Sequence, residues 1–198
     1  MTTFIRASGV EQGPRQAIGM QNGPMPIRRP LILTGAPAIG KSATGLALAL
    51  GRTRCAFVDV DDVRQLVVVG GAAPWQGPEG VRQQLLGVRN ACALAHEFAA
   101  EGIETVLADV LTTATLSVYR KDLADCVVVR MFAPLSETLK RASTRPAWLT
   151  EGEFRSLYEA DATNPLSADH TLDVAQYDLE RQVAEVERLW SPRIWETT

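Results

Sequence analysis

Short apolar runs alternate with amphipathic segments along most of the chain. Residues 31–33 read Leu-Ile-Leu, and further apolar runs follow at 55–58, 103–108 and 126–132. Runs of this kind are typical of strands covered on both faces, as in a parallel sheet, and the run at 126–132 is unbroken except at Arg130. The segment His170–Asp173 predicts a fifth strand.

Helical periodicity separates these runs. Between 81 and 101, apolar residues recur at spacings of three and four, which predicts a long amphipathic helix. Thr150 and Glu153 have the spacing of a capping box and predict a helix to about Ala160. Further helices are predicted at 43–50, 62–69, 118–123, 134–141 and 179–189, with a loop at 110–117.

This alternation predicts an α/β fold with three αβα layers around a five-stranded, mostly parallel sheet. Residues 1–29 are rich in Gly, Gln and Pro and lack any sustained period, so they are expected to form a flexible N-terminal extension. Residues 30–198 are expected to form one domain.

Composition narrows the class of partner. The formal net charge is −3 at pH 7, which disfavours nucleic acid as a partner.

Cys55, Cys92 and Cys126 lie far apart in apolar runs and are expected to be reduced, which favours the cytoplasm. Neither a membrane-spanning stretch nor a signal-peptide core is recognisable. A monomer or homodimer is expected.

The sharpest motif follows the first predicted strand. Residues Gly35–Ser42 fit G-x-x-x-x-G-K-[ST], the Walker A pattern, and a predicted helix comes next. In this pattern backbone N–H groups surround the phosphates of ATP, Lys41 reaches the β- and γ-phosphates, and Ser42 holds Mg²⁺. The residues expected to surround the phosphates are Gly35, Ala36, Pro37, Ala38, Ile39, Gly40, Lys41, Ser42 and Ala43.

Acidic residues stand at the ends of two other predicted strands. Asp59 and Asp61 follow the second strand and Asp109 ends the third, so all three are expected at the carboxyl edge beside the Walker A loop. Acids in such positions also cap helices, and Asp62 is assigned to that role. Arg64 is interpreted as a solvated helix residue, and the alternative is that it grips an acidic substrate.

These features together resemble the small P-loop kinases, which include shikimate kinase, gluconate kinase, adenylylsulfate kinase and the chloramphenicol phosphotransferase. Phe57–Asp61 looks like the F-x-D-x-D of shikimate kinases, which implies Asp59 on the Mg²⁺ side and Asp61 holding the acceptor hydroxyl. The antibiotic phosphotransferase has a single acid near this place, so the reverse assignment stays open. Asp109 resembles a Walker B acid and therefore a further metal ligand.

The same resemblance assigns a lid at about 142–164. Residues 139–145 look like the junction whose arginines, Arg141 and Arg145, close over the phosphates. The implied activity is transfer of the ATP γ-phosphate to a hydroxyl of a metabolite or antibiotic, with Lys41, Asp59, Asp61, Arg141 and Arg145 as catalytic residues. The alternative is a nucleotide-binding regulator or NTPase without a dedicated acceptor. Trp75 is either a loop anchor or part of a substrate wall.

Overall fold

A five-stranded parallel sheet forms the centre of the molecule. The computed structural model describes residues 27–143, 150–163 and 165–190. The strands are β1 (Leu31–Thr34), β2 (Cys55–Asp59), β3 (Glu104–Ala108), β4 (Val127–Phe132) and β5 (His170–Asp173). Their order across the sheet is β2-β3-β1-β4-β5, and every neighbouring pair is parallel. The α/β prediction is confirmed.

Seven helices lie in the described part of the chain. They are α1 (Lys41–Leu50), α2 (Val60–Gln65), α3 (Gly77–Ala100), α4 (Thr113–Asp122), α5 (Leu135–Ala142), α6 (Glu151–Thr163) and α7 (Leu179–Leu189). The Thr150–Glu153 capping box is present, with Thr150 N donating to Glu153 Oε2 at 2.8 Å and Glu153 N donating to Thr150 Oγ1 at 3.3 Å. The extension at 1–26 and the lid residues 144–149 lie outside the described residues.

The apolar runs bury both faces of the sheet. Ile32 packs on one side with α2, α3 and α4, whereas Leu31 and Leu33 pack on the other with α1 and α7. Successive strand residues point to opposite faces, so a strand between two helical layers needs apolar residues at every position. This burial fixes the carboxyl edge of the sheet, where the Walker A loop begins.

Three helix boundaries differ from the sequence predictions. Helix α4 begins at Thr113 rather than 118, because Thr112 and Thr115 form a capping box that uses Thr in place of the usual Glu or Gln. Helix α2 covers 60–65 rather than 62–69, because the Asp59 side chain caps it. Helix α3 begins at Gly77, before the predicted Val81, with Pro78 in its first turn.

The three cysteine side chains are shielded from solvent to different degrees. Cys92 and Cys126 are buried and Cys55 is partly buried. Burial raises the pKa of the Cys55 and Cys92 thiols to about 12 and the pKa of the Cys126 thiol to about 11.

Within the residues that the structure describes, every helix is too short or too polar to cross a membrane.

Candidate nucleotide and phosphate-transfer site

The Walker A loop has the backbone geometry that an anion cradle requires. Gly35 and Gly40 have φ angles of 132° and 112°, which residues with a Cβ rarely adopt. A Cβ on Gly35 would also lie only 2.1 Å from Met131 O of β4. Ala38 takes the left-handed conformation with φ 59°. The loop is therefore held in one shape by both backbone angle and close packing.

Lys41 is the buried cation at the centre of the site. It is 9% exposed, and its Nζ donates to Gly35 O and Ala36 O, each at 3.0 Å. Burial lowers the pKa of Lys41, while Asp61, Asp109 and Asp59 act to raise it. These three carboxylates therefore lie close enough to Lys41 to act on it electrostatically, as the strand-end positions predicted.

Ser42 and Asp59 lie together at the start of α1. Ser42 Oγ donates to Asp59 Oδ2 at 2.6 Å, and Asp59 Oδ1 accepts from Asp61 N at 3.1 Å. Asp59 thus caps α2 and also accepts a hydrogen bond from the Walker A serine. Its role as a Mg²⁺ ligand stays a prediction. A hydroxyl and a carboxylate oxygen this close suit Mg²⁺, which binds few protein oxygens together with phosphates. The two side chains therefore fit the metal that the motif implies.

Asp109 has different partners. Its side chain is fully buried, and Arg64 Nη2 lies 2.8 Å from Oδ1 and 3.1 Å from Oδ2. Tyr119 Oη donates to Oδ2 at 3.0 Å, and Val110 N donates to Oδ1 at 2.8 Å. Burial raises the pKa of the Asp109 carboxyl, and the Arg64 guanidinium acts in the opposite direction. Both Asp109 oxygens therefore already accept hydrogen bonds from protein donors. The role of Asp109 as a metal ligand stays a prediction.

Arg64 corrects a sequence prediction. The sequence predicts a solvated side chain, but the Arg64 side chain is only 15% exposed and pairs with the carboxylates of Asp61 and Asp109. Burial alone would lower the pKa of Arg64, but Asp109 and Asp61 raise it above its ordinary value. Asp61 itself is 64% exposed and accepts from Arg64 Nη1 at 2.8 Å. Asp62 lies in the first turn of α2, where Asp59 rather than Asp62 provides the cap.

Arg141 lies on the opposite side of the Walker A loop. Its Nη1 donates to Ile39 O at 3.0 Å and its Nη2 donates to Val174 O at 2.9 Å. It therefore joins α5 to the loop and to the segment after β5, beside the expected nucleotide. Arg145, the second predicted lid arginine, lies outside the described residues.

A second Arg–Asp pair, which no sequence signal indicated, lies beside the loop. Arg130 of β4 binds Asp161 of α6 through Nε at 3.0 Å and Nη2 at 2.6 Å. A cavity of about 210 Å³ adjoins this pair and reaches Ala36 of the Walker A loop. Asp161 also acts to raise the pKa of Lys41, so α6 brings a fourth carboxylate toward the site.

The predicted site residues differ in how close they lie to the Walker A loop and in which partners they have. The structure brings together the Walker A residues, Asp59 and Asp61, and it places Asp109 nearby but paired with Arg64. Among the described residues there is no group of three or more His, Cys, Asp or Glu side chains arranged to hold a metal ion. Arg64, Tyr119, Arg130 and Asp161 carried no motif, since each acts through a contact distant in sequence.

Comparison with known proteins supports the fold. No protein-family model matches the chain, and no curated protein matches its sequence. An unliganded sugar kinase from Janibacter sp. HTCC2649 has a TM-score of 0.64 at 14% identity, covering 82% of this chain and 94% of that chain. The Mycobacterium tuberculosis APS kinase, solved with AMPPNP and APS, has a TM-score of 0.61 at 19% identity, covering 83% and 98%.

Shikimate kinase from Acinetobacter baumannii, solved with shikimate, gives a TM-score of 0.59 at 22% identity, covering 82% of this chain and 92% of that chain. At these identities the likeness shows the fold alone. The resemblance to small P-loop kinases that the motifs predicted is therefore confirmed as a likeness of fold.

Proposed function

We propose that this chain is an ATP-dependent phosphotransferase that moves the γ-phosphate of ATP to a hydroxyl of a small molecule. The observation that carries the proposal is the convergence on Lys41 of the Walker A loop, the Ser42–Asp59 pair and Asp61. The similar solved structures are kinases of different acceptors, namely a sugar, APS and shikimate. The likeness therefore supports phosphate transfer without selecting an acceptor.

The nucleotide would bind along the Walker A loop. Backbone N–H groups within 35–43, where only Pro37 lacks one, and the N-terminus of α1 would provide hydrogen-bond donors and a positive dipole end for the phosphates. Lys41 exchanges its two carbonyl partners for phosphate oxygens. Ser42 and Asp59 would hold Mg²⁺, which would supply charge neutralisation of the phosphates. Arg141, whose Nη1 donates to Ile39 O of the loop, would contact the nucleotide.

Asp61 is the proposed base. Asp59 is already engaged by Ser42 and by the α2 backbone, whereas Asp61 is exposed toward solvent and lies near Lys41. The acceptor hydroxyl gives its proton to the Asp61 carboxylate as its oxygen bonds to the γ-phosphorus. The bond from that phosphorus to the bridging oxygen breaks and ADP leaves. General-base assistance of this kind contributes roughly 10²–10⁴ in rate.

The test has two stages. ADP formation is first measured with Mg·ATP against a panel of hydroxyl metabolites and antibiotics, after a thermal-shift screen for stabilising compounds. Asp61→Asn is then expected to lower acceptor-dependent turnover by about 10²–10⁴ without changing the Kd for Mg·AMPPNP. Asp59→Asn should raise the Mg²⁺ concentration needed for half-maximal activity. Lys41→Ala should remove nucleotide-dependent activity.

Asp173→Asn provides a matched control. Asp173 ends β5 at the same edge, and its Oδ1 accepts from the N–H two residues later, Ala175 N, at 2.9 Å, as Asp59 does from Asp61 N. Its removal should leave turnover unchanged. Equal ADP formation with and without every acceptor would favour the NTPase alternative, and full activity in Lys41→Ala would contradict the site.

A further inference from the structure

Arg64 links the exposed Asp61 to the buried Asp109. One guanidinium nitrogen, Nη1, donates to Asp61 Oδ1 at 2.8 Å, and the other, Nη2, lies within 3.1 Å of both Asp109 oxygens. Asp61 Oδ2 accepts no hydrogen bond from any described residue. Arg64 thus holds one oxygen of Asp61 and leaves the other available to an acceptor hydroxyl.

The far end of this link is rigid. Asp109 is fixed by Tyr119 Oη and Val110 N in addition to Arg64, and both the Asp109 and the Tyr119 side chains are buried. Gly87 of α3 adjoins the Arg64 stem, where a Cβ would lie 2.6 Å from Arg64 Cγ. Any residue larger than glycine at position 87 would therefore force the Arg64 side chain to move from its present contact with Asp109.

Stability alone does not account for this arrangement. Arg64 Nε is buried and has no hydrogen-bond partner among the described residues, which costs about 1–3 kcal/mol. A buried ion pair is also weak evidence of stabilisation, because apolar residues of similar volume often do as well or better. The charges are therefore better explained by what they hold in place.

We propose that Arg64 is a positioning residue that fixes the carboxylate of Asp61 for proton acceptance by anchoring it to Asp109, and that it does not bind an anionic group of a substrate. The inference rests on the proposed function for its catalytic meaning. An aspartate that is 64% exposed would otherwise rotate among its staggered conformers. Misplacement of a reacting group by about 1 Å can cost about a hundredfold in rate.

The test removes the cation without leaving a buried charge unpaired. Arg64→Met combined with Asp109→Asn keeps an oxygen that can accept from Tyr119 and Val110 N. Three quantities are measured: the Asp61 side-chain conformation from NMR three-bond couplings, the rate of Mg·ATP hydrolysis with water as acceptor, and the Kd for Mg·AMPPNP. We expect averaged Asp61 couplings and a rate lower by about tenfold to a hundredfold. The Kd should stay unchanged, because in the proposed site Mg²⁺ is held by Ser42 and Asp59, whereas both Asp109 oxygens are engaged by protein donors.

Gly87→Ala tests the same link with every charge retained. The new methyl group should displace Arg64, while Ala favours the helix by about 1 kcal/mol. We expect the same averaged couplings and reduced rate. Adding Arg64→Met to Asp61→Asn should produce no further loss, because coupled residues are not additive.

Arg120→Met with Asp169→Asn is the matched control. This Arg–Asp pair is 2.9 Å apart, and Asp169 also accepts from a backbone N–H, that of Val128 at 2.7 Å, but it lies at the amino edge of the sheet. Its removal should leave all three quantities unchanged.

Three outcomes would overturn the proposal: Asp61 couplings that stay fixed, averaged couplings with an unchanged rate, or a raised Kd for Mg·AMPPNP, which would make Arg64 a phosphate ligand. Failure of the proposed function looks different. In that case the wild-type chain would neither bind Mg·AMPPNP nor hydrolyse Mg·ATP, and the Asp61 couplings alone would decide whether Arg64 fixes this side chain.

Discussion

The two edges of the sheet use charged residues in opposite ways. At the amino edge, Arg52 binds Glu104 through two nitrogens at 2.7 and 3.0 Å, and Trp190 Nε1 donates to Arg29 O at 2.7 Å. The guanidinium carbons of Arg28 and Arg52 lie 5.2 and 5.6 Å from the Trp190 ring centroid. Planar cations over an aromatic face are favourable, so the charges of Arg28 and Arg52 have partners at this edge. Arg29 Nε is the exception there, because it is buried without a hydrogen-bond partner among the described residues.

The carboxyl edge leaves its charges in less favourable states. Burial lowers the pKa of Lys41 and raises that of Asp109, and Arg64 Nε has no partner within the described residues. The loop also contains left-handed backbone at Ala38. Sites that bind or react commonly break the local rules that the rest of a fold obeys. The comparison predicts that substitutions at the amino edge change stability alone, whereas those at the carboxyl edge also change ligand binding or turnover.

Trp190→Ala should have the largest effect on stability. The side chain is fully buried at the amino edge, and truncating a buried Trp costs about 3–5 kcal/mol. Urea unfolding would measure the loss, and the Kd for Mg·AMPPNP should stay unchanged under folding conditions. Trp75→Ala is the control, because Trp75 is 53% exposed and should cost much less. Equal losses in the two variants would contradict the assigned burial.

Gly35→Ala should affect both stability and binding. At φ 132° an added Cβ meets Met131 O, and a strained backbone position of this kind costs about 1–3 kcal/mol before the clash is counted. We expect a lower Tm and no measurable Mg·AMPPNP binding. Ala38→Gly makes the complementary change at φ 59° and should shift stability by less than about 1 kcal/mol with binding retained. Loss of Mg·AMPPNP binding in Ala38→Gly would contradict the prediction that the backbone conformation of the loop determines nucleotide binding.

The smallest effect concerns the pH dependence of stability. Because the folded-state pKa of Lys41 is lowered, the unfolded state binds more protons between that pKa and the ordinary lysine pKa. The free energy of unfolding contributed by Lys41 therefore rises with pH across this window, by at most about 1.4 kcal/mol per pH unit. The free energy of unfolding of Lys41→Met minus that of the wild type should fall as pH rises. A difference independent of pH would contradict the burial of a charged Lys41.

Local patterns predicted most of the fold because they depend on neighbouring residues. Apolar runs located the first four strands, the segment His170–Asp173 was correctly predicted as the fifth, and the Thr150–Glu153 spacing correctly identified the start of α6. The start of α4 was missed because its capping box uses Thr115 in place of an acid or amide. For the site, the Walker A spacing placed the loop, and strand-end position placed Asp59, Asp61 and Asp109 at one edge.

The sequence by itself determined the αβα architecture, the position of the Walker A loop and the edge at which the carboxylates gather. Each of these follows from periodicity or from a motif whose residues are close together along the chain. The tertiary structure alone decided that Arg64 pairs with Asp109 rather than with solvent, and that α6 brings Asp161 beside Arg130. These pairs join residues 45 and 31 positions apart, and which carboxylate a long arginine side chain reaches depends on how the helices pack, which no local pattern specifies.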